Sequence, residues 1–386
     1  MRDRRYDVDW LRVLAMLVVF IFHSGRLFNF DWWHLKNAQL SFGVTVFVRV
    51  VDQWMMPLFF ILSGVGTWYA LSHRNGPQYA LERVKRLFVP FAFGTLVIIP
   101  PQVYLERIDK SQFHGSYLQF YPHFFTGIYP TGNFSWHHLW FLAYLFVLSL
   151  VALPLLLKLK RGGGQGFMSA IHALCERPGG IFLLALPVAA IRIALGPVSA
   201  GLQTLYGDWA NLLAYLTWFV YGFVLYSDER LNRAIQMHWK IAAAGAIGMT
   251  GLLAFIILHF DPQGGYTLAS AGMTVGGAFS SWFWLIAILG AGQRYLTFRN
   301  RALDYANEAV LPFYVLHQTV IIMVGYYVIR WPLGVPAKYA IIAGVAFVLT
   351  LGAYDILVRR WNVTRVLFGM RPKRGMRSAA ESPRPS

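Results

Sequence analysis

Ten apolar stretches, each close to the roughly 20 residues that carry a helix across a hydrocarbon core, leave this chain little choice of architecture. They cover approximately residues 8–28, 42–71, 87–106, 138–158, 180–197, 207–227, 240–259, 270–290, 306–330 and 338–358. Inside a bilayer every backbone N–H and C=O must be satisfied within the protein, and a helix does that locally. The expectation is an all-α, polytopic integral membrane bundle. Only 13% of the residues are charged, about half of what a soluble protein carries, so a water-soluble fold is excluded. The first apolar run follows a basic N-terminus but is too long for a signal peptide and lacks a small-residue cleavage site; it reads as a retained first span.

The formal net charge of +17 would suit a nucleic-acid partner, but its distribution does not. Basic residues gather between the apolar runs and in the tail, as a membrane protein oriented by its positive loops requires. With the N-terminus in the cytoplasm, about 25 of the 34 Lys and Arg fall on the inner side. An even number of spans then returns the C-terminus to the cytoplasm. The expected partners are membrane lipids and no nucleic acid; nothing in the sequence speaks to an oligomer. Residues 1–370 form the membrane domain. Residues 371–386, rich in Arg, Ser and Pro, read as a disordered basic cytoplasmic tail, and Gly162–Gly166 as a flexible connection. A single cysteine, Cys175, excludes an intramolecular disulfide and a cysteine-rich metal site.

Polar residues inside the apolar runs carry the functional information. Arg12 and His23 stand eleven residues apart in the first span. That spacing is three helical turns plus about 20°, which puts both on one face about 16 Å apart along the axis. Such a pair is costly in a membrane unless it meets protein, water or a ligand. An Arg12–Asp9 link and a histidine bonded to a carbonyl would satisfy it structurally. In the second span, Ser63 and Gly64 allow close approach of either a helix or a ligand. Arg83 and Arg86, three apart, are neighbours on one face at the membrane edge. Guanidinium groups so placed suit phosphates, and they equally suit anionic lipid. The fourth span opens with Trp136, His137, His138 and Trp140. Adjacent histidines point to different faces, which makes a poor metal clamp by themselves, and no metal is expected. His317 lies about 15–18 Å into the ninth span, after Pro312, which is expected to kink that helix around a cavity. Arg49 and Asp52 are expected to pair with each other, and Asp208, Asp304 and Asp355 to be caps or surface charges. The outer loop near 107–137 is aromatic and suits either a sugar or the membrane interface.

Taken together, Arg12-x10-His23, Phe59-Phe60-x-x-Ser63-Gly64, Arg83-x-x-Arg86, His138-Leu-Trp140-Phe-Leu142 and Tyr314-Val-Leu-His317 resemble, in order and spacing, the membrane-bound acyltransferase-3 family. The resemblance covers residues 5–370. Within the family it is nearest to the glucan biosynthesis protein C branch, which succinylates periplasmic glucans. The branch cues are Trp33-His34-Leu-Lys-Asn37, Val84-Lys-Arg-Leu and Val366-Leu-Phe-Gly369. Many members carry a glutamate soon after the tryptophan motif; Ala143-Tyr144-Leu145 stands here instead, so no acid is assigned there.

The resemblance implies an acyl-CoA-dependent O-acyltransferase of a bacterial inner membrane. The donor is a cytoplasmic acyl-CoA, with succinyl-CoA one choice, and the acceptor a hydroxyl of a periplasmic glycan. It implies catalytic roles for His23, Arg12 and His317, donor-binding roles for Arg83, Arg86, Ser63 and Gly64, and acceptor-binding roles for Trp136, His138 and Trp140. His23 would act as general base or carry the acyl group itself. His317 would orient His23, contact the acceptor or only fill the core. Arg26 and Arg49, near the outer side, are candidates for a succinyl carboxylate. A transporter or flippase is the rival class, since intramembrane Arg and His are at home in transport pathways, although the paired repeats of many transporters are not visible. Another envelope polysaccharide or a lipid is the alternative acceptor. The enzyme reading requires that the His23 imidazole open onto a passage leading to the basic inner rim.

Overall fold

The computed structural model describes residues 5–199, 201, 203–260 and 265–373. All ten apolar stretches are helices: α1 (Tyr6–Gly25), α2 (Phe42–Ala70), α3 (Gly76–Asp109), α4 (His137–Val151 with Leu153–Lys160), α5 (Gly180–Val198), α6 (Trp209–Leu225), α7 (Glu229–Phe260), α8 (Leu268–Tyr295), α9 (Arg301–Val328) and α10 (Val335–Val358). Eight are long and apolar enough to cross a bilayer singly, α4 does so as a bent pair, and α6 is a shorter apolar helix. The protein is therefore an all-α, multi-pass membrane bundle.

Burial ranks the helices from centre to rim. Of the apolar window of α1, 61% is buried against protein, whereas α7 buries only 11%. The first helix thus stands in the middle, against α2, α8, α9 and α10, while α7 lies at the rim. Small residues decide where helices touch closely. A Cβ on Gly64 of α2 would lie 2.0 Å from the Phe219 carbonyl oxygen of α6, and one on Gly222 of α6 would lie 2.0 Å from the Ile61 oxygen of α2. The two backbones pack together through reciprocal glycines.

Helix α3 is wound loosely in two places. The Val89 N–H reaches back five residues to Val84 O, and Ile99 N–H does the same to Gly94 O. Each wide turn is followed by a proline inside the helix, Pro90 after the first and Pro100 after the second, whose rings exclude ordinary i→i−4 bonding there. Between the two, Gly94 brings α3 within 2.5 Å of Leu139, measured from its would-be Cβ.

Both described ends of the chain lie at one face. Arg5 bonds Asp7 and Asn232, Trp10 donates to Phe298 O, and Arg371 approaches Glu82. The opposite face carries the loop after α1, the Arg330–Asp109 pair, and residues 111–136 with a short helix, Tyr117–His123.

Pro312 lies inside α9, which runs on as one helix through it, and α4 is a pair of helices bent by 51° where Pro154 enters. Three expectations need correction. Arg49 does not pair with Asp52 but with Asp31, its Nε 3.1 Å from Oδ2. Asp208 is fully buried and accepts bonds from Tyr144, Ser199 and Asn211. The glycine-rich connection is shorter than expected, because a helix, Gln165–Glu176, begins inside it. The tail beyond residue 373 lies outside the described residues.

Candidate active site

A cavity of about 1850 Å³ runs between the two ends of the bundle. Arg83, Arg86 and Arg371 line it at the face that holds both described ends of the chain. Arg12 and Ser63 line it further in, then His23 and His138, and finally Trp33, Tyr129 and Trp136 at the far mouth. The one passage touches both the basic rim and the first-helix imidazole.

The central histidines fix one another's protons. His317 Nδ1 lies 2.6 Å from Tyr314 O; a carbonyl only accepts, so Nδ1 carries the hydrogen and Nε2 presents a lone pair. That lone pair faces His23 Nδ1 at 2.8 Å, so His23 Nδ1 must donate. In the neutral ring His23 Nε2 is then left unprotonated, which is the atom a base or nucleophile needs. Aromatic stacking holds both ring planes. Trp33 lies parallel to His23 within 9°, at 6.4 Å between centroids, and Phe313 lies parallel to His317 within 5°. His138 completes the group. Its Nε2 donates to Val315 O at 3.2 Å, its Nδ1 is buried without a partner, and its own carbonyl accepts from the Tyr314 hydroxyl. That bond joins the start of α4 to α9.

At the inner mouth, arginines outnumber acids. Glu82 receives Arg74 at 3.1 Å, Arg86 at 3.7 Å and Arg371 at 3.6 Å. Arg83 stacks over Tyr79, and its Nε is buried with no hydrogen-bond partner. One carboxylate cannot neutralise four guanidinium groups, so the rim retains positive charge and free donors for an anion. Deeper, Arg12 reaches Asn307 at 3.4 Å and Asp9 at 3.5 Å. The Arg12–Asp9 link read from the sequence is present, but it is long. Ser63 Oγ donates to Phe59 O, which leaves its lone pairs to face the cavity.

The structure thus brings Arg12, His23, Ser63, Arg83, Arg86, Trp136, His138 and Trp140 onto one cavity. Gly64 and His317 are not on it, and neither is Arg49, a candidate for a succinyl carboxylate. Gly64 turns to α6, for the packing reason given above. His317 is wholly buried and stands behind His23, which it touches at 2.8 Å. Sequence reasoning missed Arg371, which it left in the tail, and the roles of Trp33 and the Tyr314 carbonyl. It also missed an outer cluster in which His34 Nδ1 meets Glu106 Oε2 at 2.8 Å and the Tyr129 hydroxyl donates to both Glu106 oxygens at 3.1 Å. Burial, then the charge of Glu106, pushes the Tyr129 phenol well above its usual range, so it stays protonated as a donor. Only the Trp33-His34 pair hinted at this cluster, since Glu106 lies 72 residues away in the chain.

The acyltransferase-3 family profile, described as "Acyltransferase domain", matches residues 5–355. Proteins named "Glucans biosynthesis protein C" from Salmonella paratyphi B, Salmonella dublin and Salmonella enteritidis PT4 are each 22% identical over 357 residues, covering 84% of either chain. No solved structure matches.

Proposed function

The chain belongs to the acyltransferase-3 family and is a membrane acyltransferase; from that premise we propose that it moves an acyl group from acyl-CoA at its inner face to a glycan hydroxyl at its outer face. The plasma membrane of a bacterium is the setting this implies. The observation that carries the reading is the single cavity that joins the arginine rim to His23 and continues to the aromatic outer mouth. A phosphorylated coenzyme would dock on Arg83, Arg86 and Arg371, and its pantetheine arm would extend past Arg12. The rise of about 16 Å from Arg12 to His23 is comparable with that arm.

At His23 the bare Nε2 takes the proton of the attacking hydroxyl as its oxygen bonds the thioester carbonyl carbon. The tetrahedral oxyanion collapses, the C–S bond breaks, and the proton passes from His23 to the departing thiolate. The products are a glycan ester and free coenzyme. The same nitrogen would serve a covalent acyl-histidine route, which single-turnover labelling distinguishes. Arg12 supplies positive charge along the donor path. The names of the relatives favour a glucan as acceptor, and the branch that the sequence resembles makes succinyl the acyl group to try first.

The test uses purified protein in detergent with labelled succinyl-CoA and a glucan. The expected result is labelled glucan ester from wild type and a loss of about 10²–10⁴-fold for His23→Ala, with the variant still monodisperse. Transfer by His23→Ala at the wild-type rate would remove the proposed base. Absence of chemical transfer with every acyl-CoA, together with glycan movement in liposomes, would favour the transporter.

A further inference from the structure

We propose that His34, Glu106 and His137, gathered at the outer mouth of the cavity, bind a divalent first-row transition ion, Zn²⁺ foremost. The three residues come from separate segments: the loop after α1, the end of α3 and the start of α4. One ligand atom from each lies within 4.8 Å of the others. Around tetrahedral zinc, donor atoms sit about 3.3 Å apart, so side-chain shifts of about 1 Å would close the set. His34 and Glu106 are 6% and 1% exposed, and a buried carboxylate beside two imidazoles is a donor set that zinc favours. Calcium and magnesium prefer all-oxygen sites.

A metal-free account explains two of the three residues. His34 can donate to Glu106, while Lys110 at 2.6 Å and Tyr129 satisfy the remaining lone pairs. It does not explain His137. The His137 Nδ1 lies 3.2 Å from Ser135 Oγ, but its Nε2 is buried and has no hydrogen-bond partner. Its ring centroid lies 4.2 Å from that of His34. The backbone at His137 adopts φ +38°, a region that non-glycine residues enter at a cost and that often marks a functional position. A metal would account for both features. Nδ1–H would donate to Ser135, and Nε2 would bind the ion.

The surrounding contacts match the usual outer shell of a zinc site, in which each ligand is held by a further hydrogen bond. Ser135 holds His137 and Lys110 holds Glu106 Oε1. The Tyr129 hydroxyl, 3.1 Å from Glu106 and 3.3 Å from His34 Nδ1, stands beside the fourth position. An ion there would tie three outer segments together at the edge of the cavity. The inference rests on this geometry alone and does not depend on acyl transfer.

The experiment uses full-length, tag-free protein in detergent, stripped with a chelator and titrated with ZnCl₂. Wild type should retain about one Zn²⁺ per chain after desalting, by elemental analysis, and unfold at a higher temperature with zinc than without. Co²⁺ should give tetrahedral d–d absorption. His137→Ala and Glu106→Gln should lose the bound metal, Lys110→Met should weaken it about 10–100-fold, and His114→Ala, in the same outer loop, should retain it. Should Glu106→Gln fail to fold, His137→Ala decides, because its Nε2 has no bond to lose. Wild type that holds no Zn²⁺, or wild type and His137→Ala that hold it equally, would overturn the proposal.

Discussion

The proton on His317 is placed by a backbone carbonyl, and the chemistry assigned to His23 follows from it. Tyr314 O holds the hydrogen on Nδ1, Nε2 accepts from His23, and His23 is left with its lone pair on the far nitrogen. Under the proposed mechanism His317 is a positioning residue, and its removal has a specific signature. His317→Leu deletes the acceptor, frees the His23 tautomer, and should lower kcat by about 10²-fold while the KM for the donor stays put. His317→Gln keeps an acceptor oxygen and should recover part of the loss. If Leu and Gln behave alike, or if KM rises with kcat unchanged, the relay is wrong and His317 only fills the core. The inner arginines make the opposite prediction. Arg83→Ala with Arg86→Ala removes charged donors worth roughly 1.5–3 kcal/mol each, so the KM for acyl-CoA should rise at least about tenfold with kcat little changed. The residual affinity should also depend less on salt. Coenzyme affinity equal to wild type would reassign the pair to topology or lipid.

At the scale of the element, Ser63-Gly64 shows how one motif can serve two ends. Ser63 faces the cavity, while the next residue turns away to meet α6. Gly64→Ala and Gly222→Ala would each drive a Cβ into the partner's backbone, which cannot rotate aside as a side chain can. Each should cost about 1–3 kcal/mol, seen as a lower unfolding temperature in detergent. Gly66→Ala is the control, because its Cβ would meet Arg12 Nη2 at an ordinary 3.8 Å and should leave that temperature unchanged. Equal effects from all three would mean that the crossing is not specially close. The helices themselves were legible, because apolar length alone requires them. Their irregularities were less so. Pro154 falls where α4 breaks into two helices that meet at 51°, whereas Pro312 sits inside one unbroken helix, and nothing local in the sequence tells the two prolines apart.

For the whole molecule, what the sequence conceals is contact over long chain distance. Arg12 and His23 could be placed on one face because helical geometry is local. His23 meeting His317 across 294 residues, or Arg371 joining the rim at Glu82, depends on the order in which ten helices assemble, and no periodicity encodes that. The assembled cavity also has a polarity that yields a prediction about sidedness. At one end Arg74, Arg83, Arg86, Arg365 and Arg371 face two acids, Glu82 and Glu308, the second of them already paired with Arg365 at 2.9 Å. At the other, Arg26, Arg107 and Lys110 are nearly balanced by Asp52 and Glu106. A polyanionic coenzyme is attracted to the first end and has much less to hold it at the second. Its charges also forbid it from crossing lipid. In sealed vesicles with the arginine rim outward and glucan enclosed, added labelled acyl-CoA should therefore acylate the enclosed glucan. Vesicles of the reverse orientation should transfer at least about tenfold less until permeabilised, and permeabilisation should equalise them. Equal transfer in both sealed orientations would mean that the donor does not depend on the arginine rim, and the division of the cavity into a donor end and an acceptor end would fail.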